Sequence, residues 1–260
     1  MDAMPASRIQ ANEGRDHHDR VAVVTGANKG IGRVIADRLA QLRMTVWVGA
    51  RDPQRGADAA AAVGPRARFL ALDVTDPESA AAAADTVERE SGRLDVLVNN
   101  AGIGTRPYKP PSATSLADVR RVYEVNVFGV ITVTNAMLPL LRRSPSARIV
   151  NVSTDLASLA HTAADDHPMG AFPTLLDYNT SKVALNAVTL TYANELRDER
   201  ILVNLASPGF VATDLNEFEG FLTPEQGARI PVRMATLPDD GPTATFIGED
   251  GTEAGRAIPW

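Results

Sequence analysis

The chain has 260 residues, 26 Lys and Arg against 32 Asp and Glu for a net charge of −6, no cysteine, and 44% apolar residues. A chain of this length hides roughly 70–75% of its unfolded surface and can build a full core, and without cysteine it has neither disulfides nor cysteine-held zinc to help. Mild acidity with no run of Lys or Arg argues against a nucleic-acid partner, which is held by clustered cations. The apolar stretches read as strand-sized or broken by charge and proline, with no membrane span and no secretory leader, so a cytoplasmic location is expected.

Residues 1–20 are polar, carry His17 and His18, show no period and read as a mobile tail. From Val21 onward short β-branched runs alternate with helical stretches. Val21–Val24 is followed by a helix over Ile31–Leu42, Thr45–Val48 by a helix after Pro53, and Phe69–Leu72 by an alanine-rich helix over Pro77–Glu90. Leu94–Val98 precedes a long helix from about Leu116 to Arg142; Arg148–Val152 precedes a helix from about Tyr178 to Leu196; Ile201–Leu205 follows. Nearly continuous apolar strands joined by helices specify a parallel sheet covered on both faces, and residues 21–260 read as a single α/β domain.

Between the first strand and first helix stands Thr25-Gly26-Ala27-Asn28-Lys29-Gly30-Ile31-Gly32. Glycines there permit a tight turn and a close approach to pyrophosphate, while the helix N-terminus offers free N–H groups. The spacing is T-G-x-x-x-G-x-G rather than G-x-G-x-x-G, and the strand before and helix after are the context the motif requires. Asp52 sits where an acid could hold a ribose 2′-OH, yet it precedes Pro53, the signature of a helix N-cap. Ala50 leaves room for a 2′-phosphate, with Arg51 and Lys29 as its cations, so NADPH is expected over NADH.

Tyr178 and Lys182 are four apart in a helical stretch and share a face, whereas Tyr108, Tyr123 and Tyr192 lack a lysine at that spacing. An adjacent ammonium favours phenolate, so the tyrosine pKa is expected below its ordinary value near 10.

From Val21 to Trp260 the sequence resembles the short-chain dehydrogenases/reductases, on that glycine motif and on Asp73-Val74, Asn99-Asn100-Ala101-Gly102, Asn126, Tyr178-x-x-x-Lys182, and Pro208-Gly209 with Val211 and Thr213, all in order. Leu237–Pro242 and a terminal Pro259-Trp260 look like the carbonyl-reductase-like branch. The resemblance implies a Rossmann-type doubly wound sheet of about seven strands. It also implies a dinucleotide held by Gly26, Asn28, Lys29, Gly30, Ile31, Gly32, Arg51, Asp73, Val74, Asn100, Ala101, Gly102, Tyr178, Lys182, Pro208, Gly209, Val211 and Thr213. Tyr178 would protonate a substrate carbonyl, Lys182 would hold the nicotinamide ribose and depress the tyrosine pKa, and Asn126 would position a water.

At the fourth catalytic position the register of Ile149–Thr154 selects Thr154 where the family carries serine, with Ser153 the alternative after a one-residue slip. Stretches 155–177 and 210–230 are expected to lie over the substrate. The first carries His161, Asp165, Asp166, His167, Met169 and Phe172 at no metal-site spacing, so no metal is expected; the second brings Phe218, Phe221 and Leu222. The expected function is NADPH-dependent reduction of a hydrophobic ketone or aldehyde. The alternatives are a redox-neutral epimerase, dehydratase or cyclase on the same scaffold, and a non-catalytic NADPH sensor. The family allows a homodimer, a homotetramer or a monomer.

Overall fold

The computed structural model describes residues 17–164, 175–252 and 254–260. In chain order the strands are β1 (Val21–Thr25), β2 (Thr45–Ala50), β3 (Ala67–Ala71), β4 (Val96–Asn99), β5 (Ala147–Val152), β6 (Ile201–Ser207), β7 (Phe246–Gly248) and β8 (Arg256–Ala257). The helices are α1 (Gly30–Gln41), α2 (Pro53–Val63), α3 (Pro77–Ser91), α4 (Leu116–Tyr123), α5 (Gly129–Leu141), α6 (Leu159–Thr162), α7 (Leu176–Glu195), α8 (Pro224–Gly227) and α9 (Arg229–Ala235). Among the described residues the strands form one sheet in the order β3-β2-β1-β4-β5-β6-β7-β8. β1 to β7 are parallel and β8 runs antiparallel to β7. The sheet is thus the expected doubly wound one, with eight strands instead of about seven; β8 has two residues, too few to show a period in sequence.

The two faces of each buried strand feed different cores. Ala22 and Val24 pack with Val34, Ile35 and Leu39 of α1 and with Met234 of α9, while Val23 and Leu97 pack with Val87 of α3 and Met137 of α5. Alternation along the strand sends neighbours to opposite faces, so each strand must be apolar throughout. The chain order reverses between β1 and β4, and in an open α/β sheet such a point leaves a crevice beyond the strands' carboxyl ends.

Of the expected tail, residues 1–16 lie outside the described residues, and 17–20 belong to the folded body. His17 is buried, and the Arg20 carbonyl accepts from the Thr45 amide at 2.9 Å. The long helix runs continuously over Leu116–Leu141, close to the expected bounds; it is long and apolar enough to cross a bilayer, but just over half of its most apolar window is buried inside the fold. Between α4 and α5 residues Glu124–Phe128 form a π-helical turn, which widens the helix at Asn126.

Candidate active site

The crevice between β1 and β4 is built by backbone. Gly26 and Gly30 adopt left-handed φ of +63° and +55°. A Cβ on Gly26 would stand 2.9 Å from the Ala101 Cα, and one on Gly32 would stand 2.4 Å from Asn100 Nδ2 and 2.7 Å from the Gly26 carbonyl. Asn100 locks the two chain ends together: its Nδ2 donates to the Thr25 carbonyl at 2.9 Å, and Thr25 Oγ1 accepts from the Asn100 and Ala101 amides at 3.0 Å. Lys29 caps α1 with extended backbone and no side-chain hydrogen bond, which leaves the first-turn N–H groups for an anion. Asn28 lies on the same turn, and Ile31 reaches from it into the adjoining cavity.

At the end of β2, Asp52 is the α2 N-cap, accepting from the Arg55 amide at 2.9 Å, with Pro53 at the first helical position. Ala50 is buried and Arg51 points outward, 82% exposed and 4.0 Å from Asp73. Lys29, also exposed, pairs with Asp214 at 3.3 Å. Burial pushes the Asp73 carboxyl up, but hydrogen bonds from Thr75 and the Arg51 charge outweigh it and hold the group below its ordinary value. Val74 braces the π turn: a Cβ on Gly129 would come within 2.9 Å of Val74 Cγ2.

Beyond β4 the chain passes over the site at Gly102. A Cβ there would lie 3.4 Å from Asn126 Oδ1 and 3.5 Å from Lys182 Nζ, so both polar atoms converge on one backbone position. Asn126 is fully buried; its Oδ1 accepts from the Ile103 amide at 2.9 Å, and its Nδ2 donates to the Ile103 carbonyl at 2.9 Å and to Ser181 Oγ at 3.0 Å. Lys182 is 4% exposed and donates to the Val152 carbonyl at 2.7 Å. Burial penalises its charged form and lowers its pKa to about 8.

Tyr178 is half-buried and faces a cavity of about 120 Å³ that Thr154 also lines, with Pro208, Gly209, Val211 and Thr213 along its far wall. The expectation of a depressed tyrosine pKa does not hold in the ligand-free protein. Burial raises Tyr178 to about 12, with a smaller push from Tyr108. Lys182 Nζ lies 5.9 Å from the phenol ring centroid and is committed to Val152, so its charge does not offset the lost solvation.

The two neighbouring hydroxyls after β5 divide. Ser153 borders the cavity, but it is buried and donates to Asn186 Oδ1 at 2.7 Å. Thr154 is more open, and its Oγ1 accepts only a long 3.4 Å bond from the Leu156 amide. Asp155, next in the chain, is ion-paired with Arg256 of β8.

Of the stretch 155–177, residues 165–174, with Asp165, Asp166, His167, Met169 and Phe172, lie outside the described residues. The second stretch loops back on itself through a parallel bridge of Val211 with Leu222, in which the Leu222 amide donates to the Phe210 carbonyl at 3.1 Å and the Ala212 amide to the Leu222 carbonyl at 2.9 Å. Phe210 and Leu215 line the cavity, whereas Phe218 and Phe221 are 64% and 75% exposed. The stretch therefore lines the cavity as expected, but through Phe210 and Leu215 and not through Phe218 and Phe221.

Sequence reasoning also missed Ser181, the Val152 carbonyl, the hydrogen bond from Thr105 to buried Asp177, and the stacking of Arg106 on Tyr108. All but the Arg106–Tyr108 stack are contacts between distant segments, and none leaves a local period.

The family model for short chain dehydrogenase matches residues 20–220. The chain belongs to the short-chain dehydrogenases/reductases. Within that family it is 34% identical to short-chain dehydrogenase/reductase 1 of Saponaria officinalis, over 87% of this chain and 93% of that one. It is 33% identical to the human protein named carbonyl reductase [NADPH] 1, over 90% and 97%. The solved structure of salutaridine reductase from Papaver somniferum superposes with a TM-score of 0.75 at 31% identity, covering 86% of this chain and 98% of that one. These relatives place this short-chain dehydrogenase/reductase on the carbonyl-reductase-like branch.

Proposed function

We propose that this oxidoreductase reduces a hydrophobic ketone or aldehyde to the alcohol with NADPH. The observation that carries the reading is the convergence of Tyr178 and Thr154 on one cavity, with Lys182 Nζ and Asn126 Oδ1 meeting at Gly102, two residues before Gly104 of its lining. A dinucleotide fits the cradle, because Gly26 and Gly32 stand where any Cβ would collide and the uncapped α1 N-terminus supplies anion donors. Arg51, which follows β2, and Lys29, in the glycine turn, are the cations assigned to a 2′-phosphate, and the relatives named carbonyl reductase [NADPH] support that choice.

NADPH, when bound, supplies the hydride. The Thr154 hydroxyl donates a hydrogen bond to the substrate carbonyl oxygen and fixes its position. Tyr178, protonated at neutral pH because burial raises its pKa, donates its Oη proton to that oxygen as the carbon accepts hydride, and the alcohol forms. Asn126 holds Ile103 by two hydrogen bonds and so fixes the chain above the cavity; its Oδ1 keeps a second lone pair for a water near Lys182. Lys182 is fixed by Val152 and presents its remaining N–H groups toward Gly102, where they can hold a ribose hydroxyl. Cavity walls of Ile31, Leu156, Leu175, Phe210 and Leu215 exclude water and select an apolar body.

The test is incubation with NADPH and a panel of hydrophobic ketones and aldehydes, following cofactor fluorescence and product. Stoichiometric NADPH loss with alcohol formation supports the reading. Product without net NADPH loss would establish a redox-neutral enzyme, and tight NADPH binding with no product across the panel would establish a sensor.

A further inference from the structure

The polar groups around the cavity are nearly all accounted for. Thr154 and Tyr178 face the reacting carbonyl, Ser153 is spent on Asn186, Thr105 on Asp177, and Asn216 on the Val211 carbonyl and the Thr213 amide. Tyr108 remains. It lines the same cavity, half-buried, and lies close enough to Tyr178 to disfavour ionisation of that phenol; its own oxygen accepts from Arg106, which leaves the phenol O–H free to donate.

Tyr108 is also held with unusual care. The Arg106 guanidinium lies 4.0 Å over its ring, and Arg106 Nη2 reaches the Asn216 carbonyl at 3.0 Å, Glu219 at 3.1 Å and Glu217 at 3.2 Å. Those partners come from the opposite wall, where Glu217 and Phe218 both adopt left-handed backbone, φ +53° and +64°, at non-glycine residues. Such backbone costs about 1–3 kcal/mol per residue and persists where surrounding contacts over-determine it. The strained turn brings two carboxylates onto Arg106, and Arg106 fixes a phenol at the edge of the reaction cavity.

Building on the proposed reductase, we infer that Tyr108 is a specificity-determining residue whose phenol hydrogen-bonds an oxygen substituent of the substrate remote from the reacting carbonyl, with Arg106 as its positioning residue. The substrate class is then an apolar ketone that bears a second oxygen. Leu156, Leu175, Phe210 and Leu215 line the space for its hydrocarbon body, and a body lacking the second oxygen offers the phenol O–H no acceptor. Burial pushes the Tyr108 phenol above its ordinary pKa despite the Arg106 charge.

The experiment compares tetralone with its ring-hydroxylated isomers, using wild type, Tyr108→Phe and Arg106→Gln, with circular dichroism melting to confirm the fold of each. Binding is read by calorimetry on protein saturated with NADP⁺, so that it does not depend on turnover, and KM and kcat are read with NADPH. Wild type is expected to bind at least one hydroxylated isomer roughly three- to tenfold tighter than tetralone, the range of one net hydrogen bond. Tyr108→Phe is expected to abolish that preference, the loss falling on binding and KM of the hydroxylated isomer, and Arg106→Gln to weaken it.

No preference in wild type, or a preference that survives Tyr108→Phe, overturns the inference. Preferential binding that Tyr108→Phe abolishes, without reduction of any isomer, upholds the inference and overturns the proposed reductase. Reduction of every compound without preference does the reverse.

Discussion

The dinucleotide cradle and the reaction cavity sit side by side at the same sheet edge and are made from opposite materials. The cradle is backbone: two left-handed glycines, a helix end without a cap, and an asparagine and a threonine that stitch β1 to β4. The cavity is side chain: a buried lysine on a carbonyl, a phenol whose pKa burial raises, and a hydroxyl left with one long contact. A backbone site recognises a ligand by shape at little electrostatic cost, because its donors are part of the fold. A side-chain site concentrates polar groups that water no longer screens, which gives it reactivity and makes it a burden on stability.

That contrast can be broken most sharply at the two adjacent hydroxyls. Thr154→Ala is expected to lower kcat by roughly 10²- to 10³-fold, the scale of a lost oxyanion donor, without shifting the unfolding midpoint much. Ser153→Ala is expected to keep kcat within about threefold while costing about 1–3 kcal/mol in urea unfolding, because Asn186 Oδ1 loses its donor in the core. The opposite pattern would move the catalytic role to Ser153.

In the cradle, Gly26→Ala sets a Cβ against the Ala101 backbone at left-handed φ. The expected result is loss of at least about tenfold in NADPH affinity and about 2 kcal/mol of stability, read by fluorescence titration and thermal melting. Affinity within twofold of wild type would show that the crevice is more pliant than its contacts suggest.

The cost of the side-chain site has a pH signature. Lys182 falls from an unfolded value of 10.5 to about 8 in the fold. Between those values the unfolded chain binds more protons, so this group's contribution makes stability rise with pH across the window, and its cost is full below pH 8. Lys182→Met should therefore be more stable than wild type at pH 7, by at most about 3 kcal/mol, with the gap closing toward pH 10. Unfolding curves for the two proteins that stay parallel across that range would refute the burial argument.

The smallest effect is expected at the exposed cations. Charge reversal of Lys29 and Arg51 should raise KM for NADPH about tenfold more than KM for NADH, leaving stability nearly unchanged because both existing ion pairs are solvent-exposed. Equal changes for the two cofactors would remove the 2′-phosphate assignment.

Most of this contrast is visible in the sequence on one side only. The glycines, Asn100 and Asp52 act through neighbours in the chain or through a strand end whose position the alternation already specifies, so local pattern places them correctly. Thr154 is selected over Ser153 by the family pattern of Ile149–Thr154, and the fold leaves its hydroxyl with one long contact while Ser153 is spent on Asn186. The phenol's raised pKa could not be read from four-residue spacing. Spacing puts Lys182 beside Tyr178 but says nothing of Val152, which takes the ammonium, or of the walls that remove water from both.

The order of strands and helices, the glycine turn, the Tyr-Lys helix face and the family were determined by sequence alone, because hydrophobic period and helix-cap chemistry are properties of contiguous residues. Which hydroxyl stays open, which apolar side chains line the cavity in place of Phe218 and Phe221, and how Arg106 joins Tyr108 to Glu217 and Glu219 were decided only when distant segments met. Burial and partner choice set both reactivity and specificity here, and both depend on distances through space that no local pattern encodes.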